Sequence, residues 1–251
     1  MQVKRDYTFK VAVPAHLASE RLEEKVLVDI KGKAMLLRVL EQCGKAVGRE
    51  NVCVVTPDQK IFDIVHSWGF DAYRSAKGLP DGSSAVASVV PEMNVDYVIN
   101  VQGDQPLVPP DLVRDLLENL AAGCADMVTP VFRITELEDR GDNGVAKVIR
   151  TLDGWALYFS RAPIPYLRDF PFEKWLEIVH YWGHYGIYGY PSPVLATLGE
   201  LKKSYLQSGE KLEQLRLLQN GLKVFTFETT HRQLAVDTQE DLEKILKFIK
   251  N

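Results

Sequence analysis

The chain has 251 residues, 46% of them hydrophobic, and this length is enough for one large α/β domain or two small ones. Its formal net charge of -4 argues against a nucleic-acid-binding protein. Its three cysteines, Cys43, Cys53 and Cys124, are widely spaced, which predicts reduced thiols rather than a disulfide framework or a zinc site. The N-terminus is polar and no apolar run approaches the roughly 20 residues that span a bilayer, so we expect no signal peptide, no membrane association and a cytoplasmic location.

The first half of the chain alternates short apolar runs with runs of helical spacing. The predicted strands are residues 9–13, 51–56, 97–101 and 127–132. The predicted helices are residues 35–47, 58–68, 84–90 and 110–122, with Asp58 as a candidate N-cap. This alternation predicts βαβ units on a sheet covered by helices on both faces. Ligands bind such sheets at the carboxyl ends of strands, so the loops after Val13 and Val101 are candidate sites.

The pattern changes beyond Lys147, where strand-like runs become rich in aromatic residues. The predicted strands there are residues 155–160, 184–190 and 223–228, and the predicted helices are residues 212–218 and 238–250. The proline-rich segment 163–171 interrupts this pattern and is a candidate arm or lid.

The first loop, residues 14–25, follows the first strand and carries His16, Ser19, Arg21 and Lys25. Arginine and lysine side chains together with backbone N–H groups can wrap a triphosphate. The loop lacks the Gly-x-x-x-x-Gly-Lys-Ser/Thr pattern of a Walker A motif. Because glutamates lie beside the basic residues, a solvated surface loop explains the composition about as well.

Two acidic positions are candidate magnesium ligands. Asp104 follows the strand 97–101 in the sequence Gln-Gly-Asp, and a carboxylate at a strand end suits Mg²⁺, although these are also turn residues. Asp237 precedes the last predicted helix and is the candidate second ligand. The alternative for this stretch is an N-cap by Asp237 or Thr238, with Asp241 as the acid of the first turn.

A polar set lies within apolar sequence in the second half of the chain and offers donors and acceptors suited to a polyhydroxy acid. Lone residues of these kinds are more often surface groups or satisfied core polar groups. The set consists of Lys147, Arg161, His184, Tyr188, Glu213 and Gln214. Lys147 or Arg161 could hold a carboxylate, and Glu213 and Gln214 could hold hydroxyl groups.

Five strings in order carry a resemblance to a known family. They are residues 100–106, 156–165, 186–190, 213–216 and 236–238. With them the chain resembles the bacterial 3-deoxy-manno-octulosonate (Kdo) cytidylyltransferases, or CMP-Kdo synthetases, from about Phe9 to Ile249. The resemblance implies a Rossmann-like α/β fold of the nucleotide-diphospho-sugar transferase type, with a mixed, mainly parallel sheet flanked by helices. It also implies a single domain over 1–251, a homodimer, and a dimerisation and sugar-pocket region around 155–220.

The resemblance implies transfer of CMP from CTP to Kdo or a close variant such as 8-amino-3,8-dideoxy-manno-octulosonate, for lipopolysaccharide or surface glycan synthesis, with Mg²⁺ as cofactor. The implied catalytic residues are Arg21, Lys25 and Asp104, and the implied metal ligands are Asp104 and Asp237. The implied CTP-binding residues are Ala15, His16, Ser19, Arg21, Lys25, Gly82, Ser83 and Gln102. The implied sugar-binding residues are Gln102, Arg161, His184, Tyr188, Glu213 and Gln214.

The two nucleotide loops depart from the family pattern. The first loop usually reads Pro-Ala-Arg and later Pro-Gly-Lys, whereas this chain has His16 and Glu23-Glu24-Lys25. The second loop, residues 79–85, usually reads His-x-Ser-Gly-Thr-x-Arg, and here Gly82 is kept, Ser83 replaces Thr, and Ala85 replaces Arg. These changes leave two alternatives: a cytidylyltransferase for another acid, such as a nonulosonate or a phosphonate, and a homologue that binds nucleotide or sugar without turnover.

Overall fold

The computed structural model describes residues 7–18, 22–123 and 125–249. In these ranges the chain forms a ten-stranded mixed sheet flanked by helices and a separate two-stranded hairpin, which confirms the predicted fold class.

The strands, in chain order, are β1 (Phe9–Pro14), β2 (Asp29–Ile30), β3 (Lys33–Ala34), β4 (Val52–Thr56), β5 (Asp71–Arg74), β6 (Tyr97–Val101), β7 (Met127–Ile134), β8 (Lys147–Arg150), β9 (Ala156–Ser160), β10 (Tyr181–His184), β11 (Ile187–Pro191) and β12 (Val224–Thr229).

The helices are α1 (Met35–Val47), α2 (Gln59–Ser67), α3 (Gly82–Ala87), α4 (Val90–Met93), α5 (Pro110–Ala121), α6 (Leu137–Gly141), α7 (Trp175–Ile178), α8 (Ser192–Ala196), α9 (Tyr205–Glu210), α10 (Gln214–Gln219) and α11 (Gln239–Phe248).

The N-terminal half supplies the parallel part of the sheet, in the order β5-β4-β1-β6. Side chains alternate between the two faces of a strand, so Val11 and Val13 pack into one apolar cluster and Ala12 packs into another. The first cluster includes residues of α1 and α5, and the second includes residues of α3 and α8. Covering both faces in this way accounts for strands that are apolar throughout.

The C-terminal half joins the same sheet mainly by antiparallel pairing. β11 pairs with β6 and β7, β10 pairs with β7 and β8, and β9 completes that edge by pairing with β8. β12 pairs in parallel with β7. Residues from the second half of the chain are thereby carried next to the ends of the N-terminal strands.

The single strand predicted over 184–190 is wrong. The chain forms β10 and β11 instead, separated by Tyr185 and Gly186. The Tyr185 N–H donates to the Pro130 carbonyl (3.0 Å), and the Ile187 N–H donates back to Tyr185 (2.8 Å). This local turn lets β10 pair with the far half of β7 while β11 pairs with β6, which residue alternation alone does not reveal.

Other boundaries also differ from prediction. The helix predicted over 84–90 is two helices, α3 and α4, because Pro91 lacks the N–H that a continuous helix requires and instead lies in the first turn of α4. The strands β5 and β8, each of four residues, and the short helices α6 to α9 were not predicted. The segment 163–171 packs on Trp175 and Tyr181 through a Tyr166 ring contact and a hydrogen bond from Tyr181 to the Pro165 carbonyl.

Cys43 and Cys53 are buried free thiols, as predicted, and burial raises the pKa of each to about 12. Cys124 lies outside the described residues. Across the described ranges, no helix combines the length and apolar character needed to cross a membrane.

Candidate active site

The loops that follow the parallel strands enclose a cleft of about 450 Å³. The loops after β1, β4, β5 and β6 contribute its walls, as expected for a ligand site at the carboxyl ends of parallel strands. The cleft contains the predicted residues Ala15, His16, Lys25, Gly82, Gln102 and Asp104. Ser19 and Arg21, predicted for the same site, lie outside the described residues.

Lys25 joins the two carboxylates that were predicted as metal ligands. Its Nζ donates to Asp104 Oδ2 and to Asp237 Oδ1, both at 2.8 Å. The Val236 N–H donates to the carbonyl of Asp104 (2.9 Å), which holds the backbones of the two acidic segments together. Burial of the ammonium lowers its pKa, but the charge of Asp104 and the hydrogen bonds to both carboxylates outweigh this effect and raise the pKa of Lys25.

The arrangement of these two carboxylates is compatible with a divalent cation. Asp104 and Asp237 converge on one point that a cationic group, the Lys25 ammonium, occupies. Two carboxylates completed by phosphate oxygens and water are typical of Mg²⁺ sites. No cluster of three or more His, Cys, Asp or Glu side chains that could hold a metal ion occurs in the described part of the chain. The pair alone fits Mg²⁺ if the ion takes its remaining ligands from water or from a bound phosphate.

Acidic residues hold the first loop in place. Asp58 was the candidate N-cap of α2, but its side chain makes no capping bond and instead accepts from the Leu17 N–H (2.8 Å). Glu24, one of the two acids that depart from the family pattern, forms an ion pair with Lys60 (2.5 Å). The charge of Glu24 is thus compensated by Lys60.

The second loop packs closely against the strand ends. A Cβ at Gly82 would lie 2.8 Å from Gln102 Oε1 and 2.9 Å from Pro14, so glycine is needed there. Asp81 caps α3 by accepting from the Ser84 N–H (2.7 Å). The Ser83 hydroxyl points away from the cleft and bonds Asn100 Nδ2 (2.9 Å) and the Tyr190 hydroxyl (3.1 Å).

Beside this loop lies a hydrogen-bonded group of five residues, of which all but Thr129 were predicted to bind sugar, and for that prediction we call it the sugar cluster: Thr129, His184, Tyr188, Glu213 and Gln214. The Tyr188 hydroxyl donates to Gln214 Oε1 (3.4 Å), and Gln214 Nε2 lies 3.4 Å from His184 Nδ1. His184 Nε2 lies 2.8 Å from the Thr129 hydroxyl, which donates to the Ile187 carbonyl (2.7 Å). These partners assign the imidazole proton to Nε2. Burial lowers the pKa of His184 to about 3, so the ring is neutral at pH 7.

Glu213 connects the cluster to the second loop. Its carboxylate accepts from the Ser83 N–H at 3.1 Å. Burial first, and the negative charge of Asp81 second, raise the pKa of Glu213 to about 8. At neutral pH the Glu213 carboxyl is therefore largely protonated and can donate a hydrogen bond.

The two predicted carboxylate-binding cations bond to the backbone in this structure. Lys147 Nζ donates to the carbonyls of Asp142 (2.7 Å) and Val145 (2.6 Å), and burial lowers its pKa to about 8. Arg161 donates to the carbonyls of Glu210 and Asn143, both at 2.7 Å. Neither lines the cleft, and both hold the turn 142–145 in place.

Sequence reasoning missed several residues of the site: Thr129, Asn100, Asp81 and Tyr190. Thr129 lies within an apolar strand, where no feature of the surrounding sequence indicates a role in the site. Asn100 and Tyr190 lie inside the strings that carry the family resemblance, where an amide or a hydroxyl in a buried strand indicates a polar network. Asp81 was noticed only as a departure from the second-loop pattern.

The amino-acid sequence of this chain is similar to those of known proteins. A family profile described as cytidylyltransferase matches residues 11–224. A 3-deoxy-manno-octulosonate cytidylyltransferase of Chloroherpeton thalassium is 36% identical over 94% of this chain and 95% of its own length. One from Actinobacillus pleuropneumoniae is 35% identical over 97% of this chain and 99% of its own length.

Solved protein structures are also similar to this chain. A CMP:2-keto-3-deoxy-manno-octonic acid synthetase complexed with CTP has a TM-score of 0.88 and 32% identity, covering 96% of this chain and 98% of its own. A putative glucose-1-phosphate thymidylyltransferase from Bacillus anthracis has a TM-score of 0.67 at 14% identity and is similar in fold alone.

Proposed function

Because the chain belongs to the cytidylyltransferase family and is similar over nearly its whole length to 3-deoxy-manno-octulosonate cytidylyltransferases, we propose that it transfers CMP from CTP to Kdo or a close variant such as its 8-amino analogue. Pyrophosphate is the second product, and the CMP-sugar serves lipopolysaccharide or surface glycan synthesis in the cytoplasm. The observation that carries the proposal is the convergence of Asp104 and Asp237 on Lys25 in a cleft at the carboxyl ends of the parallel strands.

The reaction is a direct displacement at phosphorus. The anomeric hydroxyl oxygen of the sugar acid forms a bond to the α-phosphorus of CTP, the bond from that phosphorus to the bridging oxygen breaks, and the hydroxyl proton is lost to solvent. No covalent enzyme intermediate is required, so the contribution of the protein is alignment and electrostatic stabilisation.

Lys25 is the described cation best placed to meet charge on the phosphates, and its raised pKa keeps it protonated. Arg21 is proposed to act with it. Mg²⁺ held by Asp104 and Asp237 would neutralise phosphate charge and orient the attacking oxygen. Ala15, His16, Ser19, Gly82 and Ser83 are the remaining proposed contacts to CTP; to bind it through the backbone, the Ser83 N–H must exchange Glu213 for the nucleotide.

The sugar cluster is proposed to hold the acceptor. Gln102 lies on the cleft wall and donates toward Asn100 (3.4 Å), whose partner across β6 and β11 is Tyr188 of the cluster. Neutral His184, the Tyr188 hydroxyl and the amide of Gln214 offer uncharged hydrogen-bond partners for hydroxyl groups. For Arg161 to bind the carboxylate of the sugar acid, it must exchange its backbone carbonyl partners for that carboxylate.

A homodimer is proposed as the working assembly. The segment 166–178 exposes four large apolar side chains: Tyr166, Phe170, Phe172 and Ile178. We call it the apolar segment. Several large exposed apolar side chains within one short segment are typical of protein interfaces.

Pyrophosphate release tests the proposed reaction. Purified protein with CTP and Mg²⁺ is given Kdo, 8-amino-3,8-dideoxy-manno-octulosonate or N-acetylneuraminate in separate reactions. We expect release with an octulosonate and none with N-acetylneuraminate. The Asp104→Asn variant is the matched negative control, with turnover lowered roughly 100-fold or more and an unchanged circular dichroism spectrum. Release with N-acetylneuraminate alone would favour another acid as acceptor, and folded protein that binds CTP without any release would favour a non-catalytic binder.

A further inference from the structure

The charged side chains that line the cleft differ in whether they have a partner within the protein. Among the described residues, three carboxylates line it, from Asp58, Asp81 and Asp104. Asp104 pairs with Lys25, whereas Asp58 accepts from the Leu17 N–H and Asp81 accepts from the Ser84 N–H and from Gln207 Nε2 (2.7 Å). Each carboxylate therefore already has a partner within the protein.

Lys77 lies on the wall of the same cleft, in the loop after β5. Its side chain is exposed and makes no hydrogen bond or ion pair with any described residue. The base of its loop is fixed, because the Ser75 N–H donates to the Thr56 carbonyl (3.2 Å) and β5 pairs with β4 up to Arg74. Lys77 thus presents an uncommitted positive charge to the cleft from an anchored loop.

The same cleft lacks arginine at two positions where the family pattern has it. Those positions are His16 and Ala85, and both line the cleft. Lys25, the other ammonium on the described lining, is bonded to two carboxylates. A triphosphate brings several negative charges into this space, and burying them without nearby cations is costly.

We propose that Lys77 binds the phosphate chain of CTP and supplies the counter-charge that the family pattern places at positions 16 and 85. This assignment rests on the proposed function, since it presumes CTP in the cleft. Lys77 is a binding residue here: it acts on affinity for the nucleotide, and none of the sugar-cluster residues lines the cleft wall that carries it.

Equilibrium binding of CTP and of cytidine, measured with Mg²⁺ and without sugar acid, tests the assignment. Lys77→Met removes the charge and keeps most of the side-chain length, and Lys77→Arg keeps the charge. We expect Lys77→Met to weaken CTP binding roughly 10-fold, with a smaller salt dependence, and to leave cytidine binding unchanged. Lys77→Arg retains the affinity. Lys203→Met, at another exposed lysine that does not line the cleft, is the matched control and leaves both affinities unchanged.

A double variant tests whether an arginine at position 85 can replace the charge of Lys77. Adding Ala85→Arg to Lys77→Met is expected to restore most of the CTP affinity. Unchanged CTP affinity in Lys77→Met, or equal losses for CTP and cytidine, would overturn the phosphate contact. Wild-type protein that binds no CTP would overturn the proposed function itself, which separates the two failures.

Discussion

Glu213 lies where the cleft and the sugar cluster adjoin. Its carboxyl accepts the Ser83 amide hydrogen, while Gln214, the next residue, reaches His184. No local pattern in the sequence indicates that this glutamate is protonated near neutral pH. The reason is spatial: burial and the facing charge of Asp81 both disfavour its ionised form.

The pH dependence of sugar binding should follow from this carboxyl. Below about pH 8 Glu213 is protonated and neutral, and above it the carboxylate repels an anionic sugar acid, so the KM for the sugar acid should rise as pH passes about 8. Burial lowers the pKa of Lys147 to about 8, and its charge interacts with that of Arg161, the proposed carboxylate-binding residue, so loss of the Lys147 charge in the same range should add to the rise. Glu213→Gln should therefore flatten the curve in part, with the KM for CTP unaffected. Steady-state kinetics between pH 6 and 9 measure this effect.

Asp81→Asn provides the matched comparison. Removing the neighbouring charge lowers the pKa of Glu213, so the rise in sugar KM should begin at lower pH than in the wild type. A Glu213→Gln profile that superimposes on the wild-type profile would remove Glu213 from the sugar site.

The N-terminal cap of helix α11 holds the backbone of Asp237, the predicted metal ligand, in position. Thr238 accepts from the Asp241 N–H (3.2 Å), and Asp241 Oδ2 accepts from the Thr238 N–H (2.9 Å), which forms a capping box. Asp241 also accepts from the Asp237 N–H (3.2 Å). The predicted cap and the predicted metal ligand thus occur side by side: Thr238 caps the helix, and Asp237 points to Lys25.

Loss of this cap should affect both stability and metal use. Thr238→Ala is expected to lower the free energy of unfolding by about 1 kcal/mol and to raise the Mg²⁺ concentration needed for half-maximal activity, because the backbone at Asp237 loses its restraint. Ser204→Ala, which removes the cap of α9, is the matched control and should cost similar stability without changing the Mg²⁺ requirement. Urea unfolding and Mg²⁺ titration of pyrophosphate release give the two readouts. Equal Mg²⁺ requirements in both variants would show that the Thr238 cap does not affect metal binding by Asp237.

At the scale of the whole molecule, the two halves of the chain share one sheet. β11 lies between β6 and β7, and α11 packs Leu242 and Ile245 against Ile30 and Met35 from the first half. We propose on this basis that residues 1–251 form a single domain. The apolar segment lies at the side of this unit, where the ring of Phe172 covers the buried guanidinium of Arg140 at 3.6 Å.

The proposed homodimer can be tested on the apolar segment. Tyr166 is 74% exposed and contacts Trp175, as does Phe172. We expect sedimentation velocity to show a dimer for the wild type and a shift toward monomer for Tyr166→Asp, because a charge in an apolar interface must be desolvated. Tyr205 is also 74% exposed but lies outside this segment, so Tyr205→Asp should leave the dimer intact. A monomeric wild type would contradict the proposal.

The sequence by itself determined the elements whose side chains follow a clear period. β1, α1, β6 and α5 begin and end within one residue of their predicted limits, because alternation and helical spacing are local properties. The five strings likewise determined the family. Asp104 and Asp237 were selected from sequence through their positions at a strand end and a helix start, and Lys25 as a basic residue of the first loop.

Only the tertiary structure decided which of these groups meet. Lys25 is separated by 79 residues from Asp104 and by 212 from Asp237, yet one ammonium bonds both. The turn between β10 and β11, the partners of Arg161 and the raised pKa of Glu213 are equally absent from any local pattern. Strand order and burial determine these features, because a contact between distant segments depends on how the sheet assembles, whereas periodicity reports only on a residue and its near neighbours.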